Sequence, residues 1–356
     1  MLSLVCYLTI SMCKKRKLKT IGQSLHNKFV FLSIFILSFL VTLPISRGDS
    51  VPGSSGVDPV KDPSTGLAQF GEIIYQHNEK SPRQLYIIGM SHRDSLTRQN
   101  GSQTSRVQAE VYKIGEWLIH NRELELLLPE GYFAEKRGKI ANGNLTIALE
   151  KKRDCSAPFD MDVLEEILSD TRTFVNAEML LRDNHPSLKI RQVEDRALYE
   201  TARKRIAELI SQKNSCDYLL LRLELDYLQE RRTAAILQRI PGIVDGEYQQ
   251  GHIKGRVAIL TIGMYHAHKI IQSLNDRKIT VYSPLGRSDK DKDYTAELNL
   301  EKEKFGVTII LPKTLVNNQR ILELNRLDKI VPQYRNRSSL QPSYLNAVLA
   351  PSVISG

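Results

Sequence analysis

From about Leu67 onward, short apolar and β-branched runs alternate with segments of helical periodicity. LYII at 85–88 predicts a strand that stops at Gly89. Across 105–120 the apolar positions Val107, Val111, Ile114 and Leu118 recur every three or four residues, the spacing of one helix face. LELLL at 124–128 predicts a second strand, closed by Pro129 and Glu130. KIRQV at 189–193 predicts a third, and VAILTI at 257–262 a fourth, ending at Gly263. ITVY at 279–282 and VTIIL at 307–311 predict two more. Strands separated by helices imply an α/β fold: a mostly parallel sheet with flanking helices.

Two helical stretches, 161–182 and 196–240, are too long to be simple crossovers. The second is expected to form a helical insertion between the third and fourth core strands, packed over the sheet as a lid would be. Residues 143–160 read as an irregular loop.

The 41% hydrophobic and 25% charged content is that of an ordinary globular chain. The net charge of +10 suggests nucleic acid until its distribution is considered. Residues 1–48 hold seven Lys and Arg and no acid, so the remainder carries 43 basic residues against 40 acidic ones. No basic stripe interleaved with aromatics survives, and no nucleic-acid partner is expected.

The basic excess belongs to a leader. KKRKLK at 14–19 precedes the uncharged run FVFLSIFILSFLVTLPI at 29–45, a membrane-targeting order. Residues 1–48 therefore predict either a signal peptide cleaved after Gly48 or an uncleaved signal anchor. Both put the body outside the cytoplasm, secreted, periplasmic or membrane-anchored. A start at Met12 would give a tidier leader. Residues 49–66, rich in Gly, Ser and Pro, read as a flexible linker. The domain is expected over 67–331, with a polar C-terminal tail at 332–356. Cys155 and Cys216, the two body cysteines, fit one disulfide or two separate thiols; no C-x-x-C pattern suggests a zinc site.

Two segments share one form. LYIIGMSH ends at His92 and ILTIGMYH at His266: an apolar strand runs into Gly, then two residues, then His. In an open α/β sheet, ligands sit beyond the carboxyl ends of the strands. A glycine there permits a sharp turn, and the imidazole is displayed at that edge, able to ligate a metal or act as a base. A single such His is usually structural; two copies, each directly after a strong strand, point to a shared site. Glu130 and Glu194 follow the second and third strands and would complete a His/carboxylate cluster. Such a donor set suits Mn, Co, Zn or Fe as a divalent ion. Residues 227–240, YLQERRTAAILQRI, read as an exposed helix carrying Glu230 and Arg231. There is no G-x-S-x-G elbow, Walker A loop or H-E-x-x-H helix.

The order of these motifs over roughly 83–275 resembles the TraB/PrgY/GumN/Tiki group of the erythromycin esterase/ChaN-like superfamily. The first G-x-x-H falls on Gly89 and His92, the strand-end glutamate on Glu130, the E-R helix on Glu230 and Arg231, and the last motif on Gly263 and His266. Arg232 stands where that group usually has Asn or Asp. The resemblance implies a metal-dependent hydrolase of a peptide or small ester, with His92, Glu130 and His266 holding the ion. Glu194 or Glu230 would be the general base and Arg231 the oxyanion stabiliser. Esterase-like members imply instead that His92 acts as a base without metal. Other relatives imply a non-catalytic binder of a peptide or of haem, with Tyr265 as a candidate axial ligand. A structural remnant, with both histidines buried and satisfied, is the third alternative.

Overall fold

The computed structural model describes residues 63–91, 101, 103–133, 160–170, 175–212, 217–283 and 293–340. The leader, His92, the 143–159 loop and all four cysteines lie outside these. The chain enters through α1 (Pro63–Phe70), then β1 (Gly71–His77) and β2 (Arg83–Met90). Helix α2 (Thr104–Arg122) leads to β3 (Leu126–Pro129). Helices α3 (Met161–Ser169) and α4 (Ala177–Asn184) precede the short β4 (Lys189–Ile190). The helical insertion is α5 (Arg196–Ser211) and α6 (Tyr218–Gln249), followed by β5 (Arg256–Gly263) and α7 (Met264–Asp276). Strands β6 (Lys278–Val281) and β7 (Tyr294–Glu297) come next, then α8 (Asn299–Lys302) and β8 (Gly306–Pro312). Helices α9 (Lys313–Val316), α10 (Gln319–Leu324) and α11 (Ile330–Leu340) close the chain.

The main sheet has six strands in the order β1-β8-β2-β5-β3-β4. Only β1 runs antiparallel, against β8; the other neighbours are parallel. The fold is thus α/β with a mostly parallel sheet and flanking helices, as the alternating pattern implied. In the middle of the sheet Leu85, Ile87, Ile88, Ala258, Ile259, Leu260, Val307 and Ile309 are fully buried. This is the unbroken burial expected of parallel strands covered on both faces. Helix α2 packs on β1, β2 and β8, and α7 on β2 and β5. Gly89 leaves room for a side chain of the neighbouring strand β8: a Cβ there would lie 2.6 Å from Leu311.

Some elements differ from the pattern. ITVY joins no core sheet; as β6 it pairs with β7 in a separate two-stranded sheet. β1 was not legible, because a bulge between Ile73 and Tyr75 breaks its alternation. KIRQV shortens to two paired residues, since the chain then leaves the edge toward Glu194. The 161–182 stretch divides into α3 and α4, capped by Asp160 and Asn176, whose side chains accept from Val163 and Met179 N–H. The insertion's helix runs past 240 and through Pro241 to Gln249. Its Ile236, Leu237, Ile240 and Val244 are fully buried in the main core. Its lower half packs instead on α5 through Leu209, Leu221 and Leu225. The polar tail begins as helix: α11 lies against β1, where Arg335 meets Glu72 at 2.6 Å and the Tyr334 hydroxyl donates to Gln76. No helix among the described residues is long and apolar enough to cross a membrane.

Candidate functional site

Three parallel strands release their chains at one edge. β2 and β5 run in register, Met90 beside Gly263, and Pro129 of β3 pairs with Thr261. Glu130 follows directly, its N–H donating to the Thr261 carbonyl at 2.9 Å. Past β4, the chain turns in at Glu194 and then starts α5, with Asp195 as the cap accepting from Leu198 N–H. After Gly263, α7 begins at once and puts His266 in its first turn. Helix α6 crosses these ends and contributes Arg232 and Thr233.

Arg232 is the hub. Its Nε donates to Glu194 Oε1 at 2.8 Å and its Nη2 to Glu194 Oε2 at 2.9 Å. Nη2 also donates to Glu130 Oε1 at 2.7 Å, and Nη1 donates to Gln229. The Tyr199 ring lies 5.1 Å from the guanidinium carbon. Burial disfavours the charged guanidinium. The hydrogen bond to Glu194 and the charges of Glu130 and Glu194 outweigh that and raise its pKa above the usual arginine value. Two backbone groups finish the carboxylates: Gly263 N–H donates to Glu130 Oε2 at 2.6 Å, and Gly131 N–H to Glu194 Oε2 at 3.1 Å.

His266 joins through both ring nitrogens. Nδ1 lies 2.6 Å from Thr233 Oγ1, and Nε2 lies 3.4 Å from Glu130 Oε1. The Thr233 hydroxyl already donates to the Gln229 carbonyl at 2.9 Å. If that bond holds the hydroxyl's one hydrogen, His266 Nδ1 is the donor to Thr233, which leaves Nε2 facing Glu130. Side-chain exposure ranks the cluster: Glu194 0%, His266 3%, Arg232 5% and Glu130 12%. Glu130 is the face the cluster turns outward.

Of the sequence-derived site residues, Glu130, Glu194 and His266 come together. His92 lies outside the described residues; its neighbour Ser91 is held by Gln108, whose amide donates to the Ser91 carbonyl at 3.0 Å. Glu230 and Arg231 go elsewhere. Glu230 pairs with Lys269 of α7 at 2.9 Å, and Arg231 stacks 4.9 Å from the Tyr294 ring. One residue along a helix rotates the side chain by about 100°, so Arg232 faces the strand ends and Arg231 does not. Sequence reasoning passed over Arg232 and Thr233. The available signal was a charge on the apolar stripe four residues before Ile236.

The expected ion and the haem alternative can be tested on the donors. Among the described residues, no three His, Cys, Asp or Glu side chains are grouped to hold a metal ion. The guanidinium of Arg232 lies where a cation would neutralise Glu130 and Glu194, and both His266 nitrogens face partners. Two of the three expected ligands, Glu130 and His266, are thus engaged with protein partners; the third, His92, lies outside the described residues. Tyr265, the haem-ligand candidate, is partly exposed, but its hydroxyl donates to Asp226 at 3.1 Å. Burial, then the Asp226 and Glu230 charges, raise its pKa and oppose the tyrosinate a haem iron would need.

One buried carboxylate stands apart. Glu178, at the start of α4, accepts from the Thr261 hydroxyl at 2.9 Å, while its other oxygen is buried without a partner. A comparison with family models, with curated proteins and with solved structures found no match.

Proposed function

We propose that the strand-end cluster is the site of a hydrolase acting on an ester or peptide carbonyl. The observation that carries the reading is that Glu130 is the outward face of a buried charge network assembled from four remote segments, at the sheet edge where α/β proteins bind ligands. Arranging buried charges so closely is costly to stability and is a common mark of functional sites.

In this reading Glu130 takes a proton from water, and the hydroxide so formed adds to the substrate carbonyl carbon. His266 Nε2 receives that proton from Glu130, and Arg232 keeps the carboxylate in position. The tetrahedral adduct then expels the alcohol or amine, to which the proton returns. Glu194 is too enclosed to meet water and acts by holding Arg232. The esterase-like resemblance implies an alternative within the same reaction, in which His92 rather than Glu130 takes the proton from water.

The test uses the full chain with a panel of p-nitrophenyl esters and fluorogenic peptides, with chelator and then with Mn, Co, Zn or Fe added back. Turnover lost on the order of a hundredfold or more in Glu130→Gln and His92→Ala, with far-UV CD unchanged, supports the reading. Turnover untouched by Glu130→Gln sinks it. Activity that needs the added ion would return the metal to the mechanism and require Arg232 to release Glu130.

The near-closure of the cluster favours a second reading, binding without turnover. It predicts a ligand that protects Glu130 and its neighbours while no ester or peptide on the panel is cleaved.

A further inference from the structure

A cleft of about 590 Å³ is lined by Tyr132, Ile190, Arg191, Gln192, Gly242, Ile243, Gly246, Glu247 and Gln250. One wall is the free side of β4, the edge strand of the main sheet. The other is a single face of α6. Two of its lining residues adjoin the charge network along the chain: Tyr132 is two residues beyond Glu130, and Gln192 two before Glu194.

The edge strand offers main-chain groups. Lys189 N–H donates to the Glu125 carbonyl at 2.8 Å and Arg191 N–H to the Leu127 carbonyl at 3.1 Å, both on the β3 side. In a parallel ladder alternate residues bond alternate sides, so Ile190 N–H and C=O face away from β3, and Gln192 N–H follows just past the paired residues. Among the described residues neither of these N–H groups has a partner. The Ile190 carbonyl is held only by the Arg191 side chain, at 3.0 Å. Gln192 lies two residues past Ile190, beyond the last paired residue of β4; an added strand that carried the ladder on to it would find two donors roughly 6.6 Å apart. Alternate carbonyls of an extended peptide repeat at that spacing.

The facing wall is bare. Gly242 and Gly246 sit one turn apart on α6, and a Cβ at either would meet nothing within 4 Å. Neither has the positive φ that would demand glycine. The cleft's charges are spent on one another: Arg191 Nε meets Glu247 Oε1 at 2.7 Å, and His252 Nδ1 takes the other Glu247 oxygen at 3.1 Å. What remains is neutral, with Ile190 and Ile243 as its apolar patch.

We propose that this cleft is a substrate subsite that takes an extended peptide with uncharged side chains as an added strand on β4, its backbone passing Gly242 and Gly246. Strand addition supplies affinity through the main chain and leaves selection to the side-chain pockets. The proposal rests on the hydrolase reading for calling the peptide a substrate and narrows that reading from ester or peptide to peptide.

The test uses the full chain, wild type and Glu130→Gln, with a pool of N-acetylated, C-amidated heptapeptides varied over uncharged residues at the three central positions. Selected peptides are titrated, and exchange of the Ile190 and Gln192 amides is followed. The expected result is binding that slows exchange at both amides. It weakens on the order of tenfold when alternate peptide nitrogens are methylated, and again in Gly246→Leu or Gly242→Leu. Two leucine variants are used so that a folding failure in one leaves the other. No binder in the pool, or binding equal in methylated peptides and in a folded leucine variant, overturns the proposal. Esters cleaved with no peptide bound would overturn the cleft alone. Peptides bound with nothing cleaved would overturn the hydrolase reading and leave the cleft a peptide receptor.

Discussion

Replacing Glu194 with Gln tests whether the charge network is what organises the strand ends. Glu194 has no solvent exposure, and both its oxygens accept from Arg232, at 2.8 and 2.9 Å. The amide keeps the size and one acceptor but turns an NH2 toward a guanidinium that can only donate. Arg232 would keep Glu130 at 2.7 Å and Gln229, so it stays half-compensated at a position only 5% exposed. Removing one partner of a buried pair costs about 3–5 kcal/mol, against a total stability of about 5–15 kcal/mol for a domain. At about 2–4 °C per kcal/mol for a chain of this size, the melting temperature should fall by about 6–20 °C. Thermal unfolding followed by far-UV CD, with urea titration for the free energy, measures both. Arg232→Met alone strands two carboxylates and should be comparably harmful. The double variant should be less destabilised than the sum of the singles by at least about 1 kcal/mol, since the two share one interaction. A Glu194→Gln protein within about 1 kcal/mol of the wild type, or a strictly additive double, would refute the reasoning: the network would then be a solvated ion pair in effect.

Other consequences are narrower. Thr233→Val removes the acceptor for His266 Nδ1 in a buried position and should cost about 1–3 kcal/mol by urea titration, with turnover falling if His266 exchanges a proton with Glu130. Gly242→Ala adds a methyl where nothing lies within 4 Å and should stabilise α6 by about 0.5–1 kcal/mol, read as a raised urea midpoint. For Glu247, burial works to raise the carboxyl pKa, but the hydrogen bond and charge of Arg191, with His252, win and hold it below its ordinary 4.5. The unfolded chain therefore binds that proton first. The stabilisation is complete above the ordinary value and is lost as pH falls through the depressed one, so Glu247→Gln should flatten the acid limb of a stability–pH profile. An unchanged limb would mean that the Arg191 contact is not kept in solution.

The sheet was legible because its information is local. LYII, VAILTI and VTIIL are apolar apart from one threonine in each of the last two, and only a strand covered on both faces gives such runs a place to go. The same locality put Glu130, Glu194 and His266 at one edge: each follows its strand within a few residues, and parallel strands end together. β1 and β7 escaped notice because their partners, not their patterns, make them strands. β1 is bulged and mostly half-buried, and in β7 no residue is fully buried.

Arg232 was hidden for a different reason, which bears on how such a site should be read. A motif aligned by letters favours the Arg next to Glu230, and two adjacent arginines look interchangeable in a polar helix. Helix phase separates them. Leu225, Arg232, Ile236, Ile240 and Val244 are all buried, so Arg232 belongs to the inward stripe, while Arg231 lies one step around and meets Tyr294. A buried cation on an apolar stripe has to be matched by anions from other elements. The strand ends had been assigned two carboxylates, Glu130 and Glu194, with Arg231 rather than Arg232 as the arginine beside them. Joining those two facts would have put Arg232 between Glu130 and Glu194 before any coordinates.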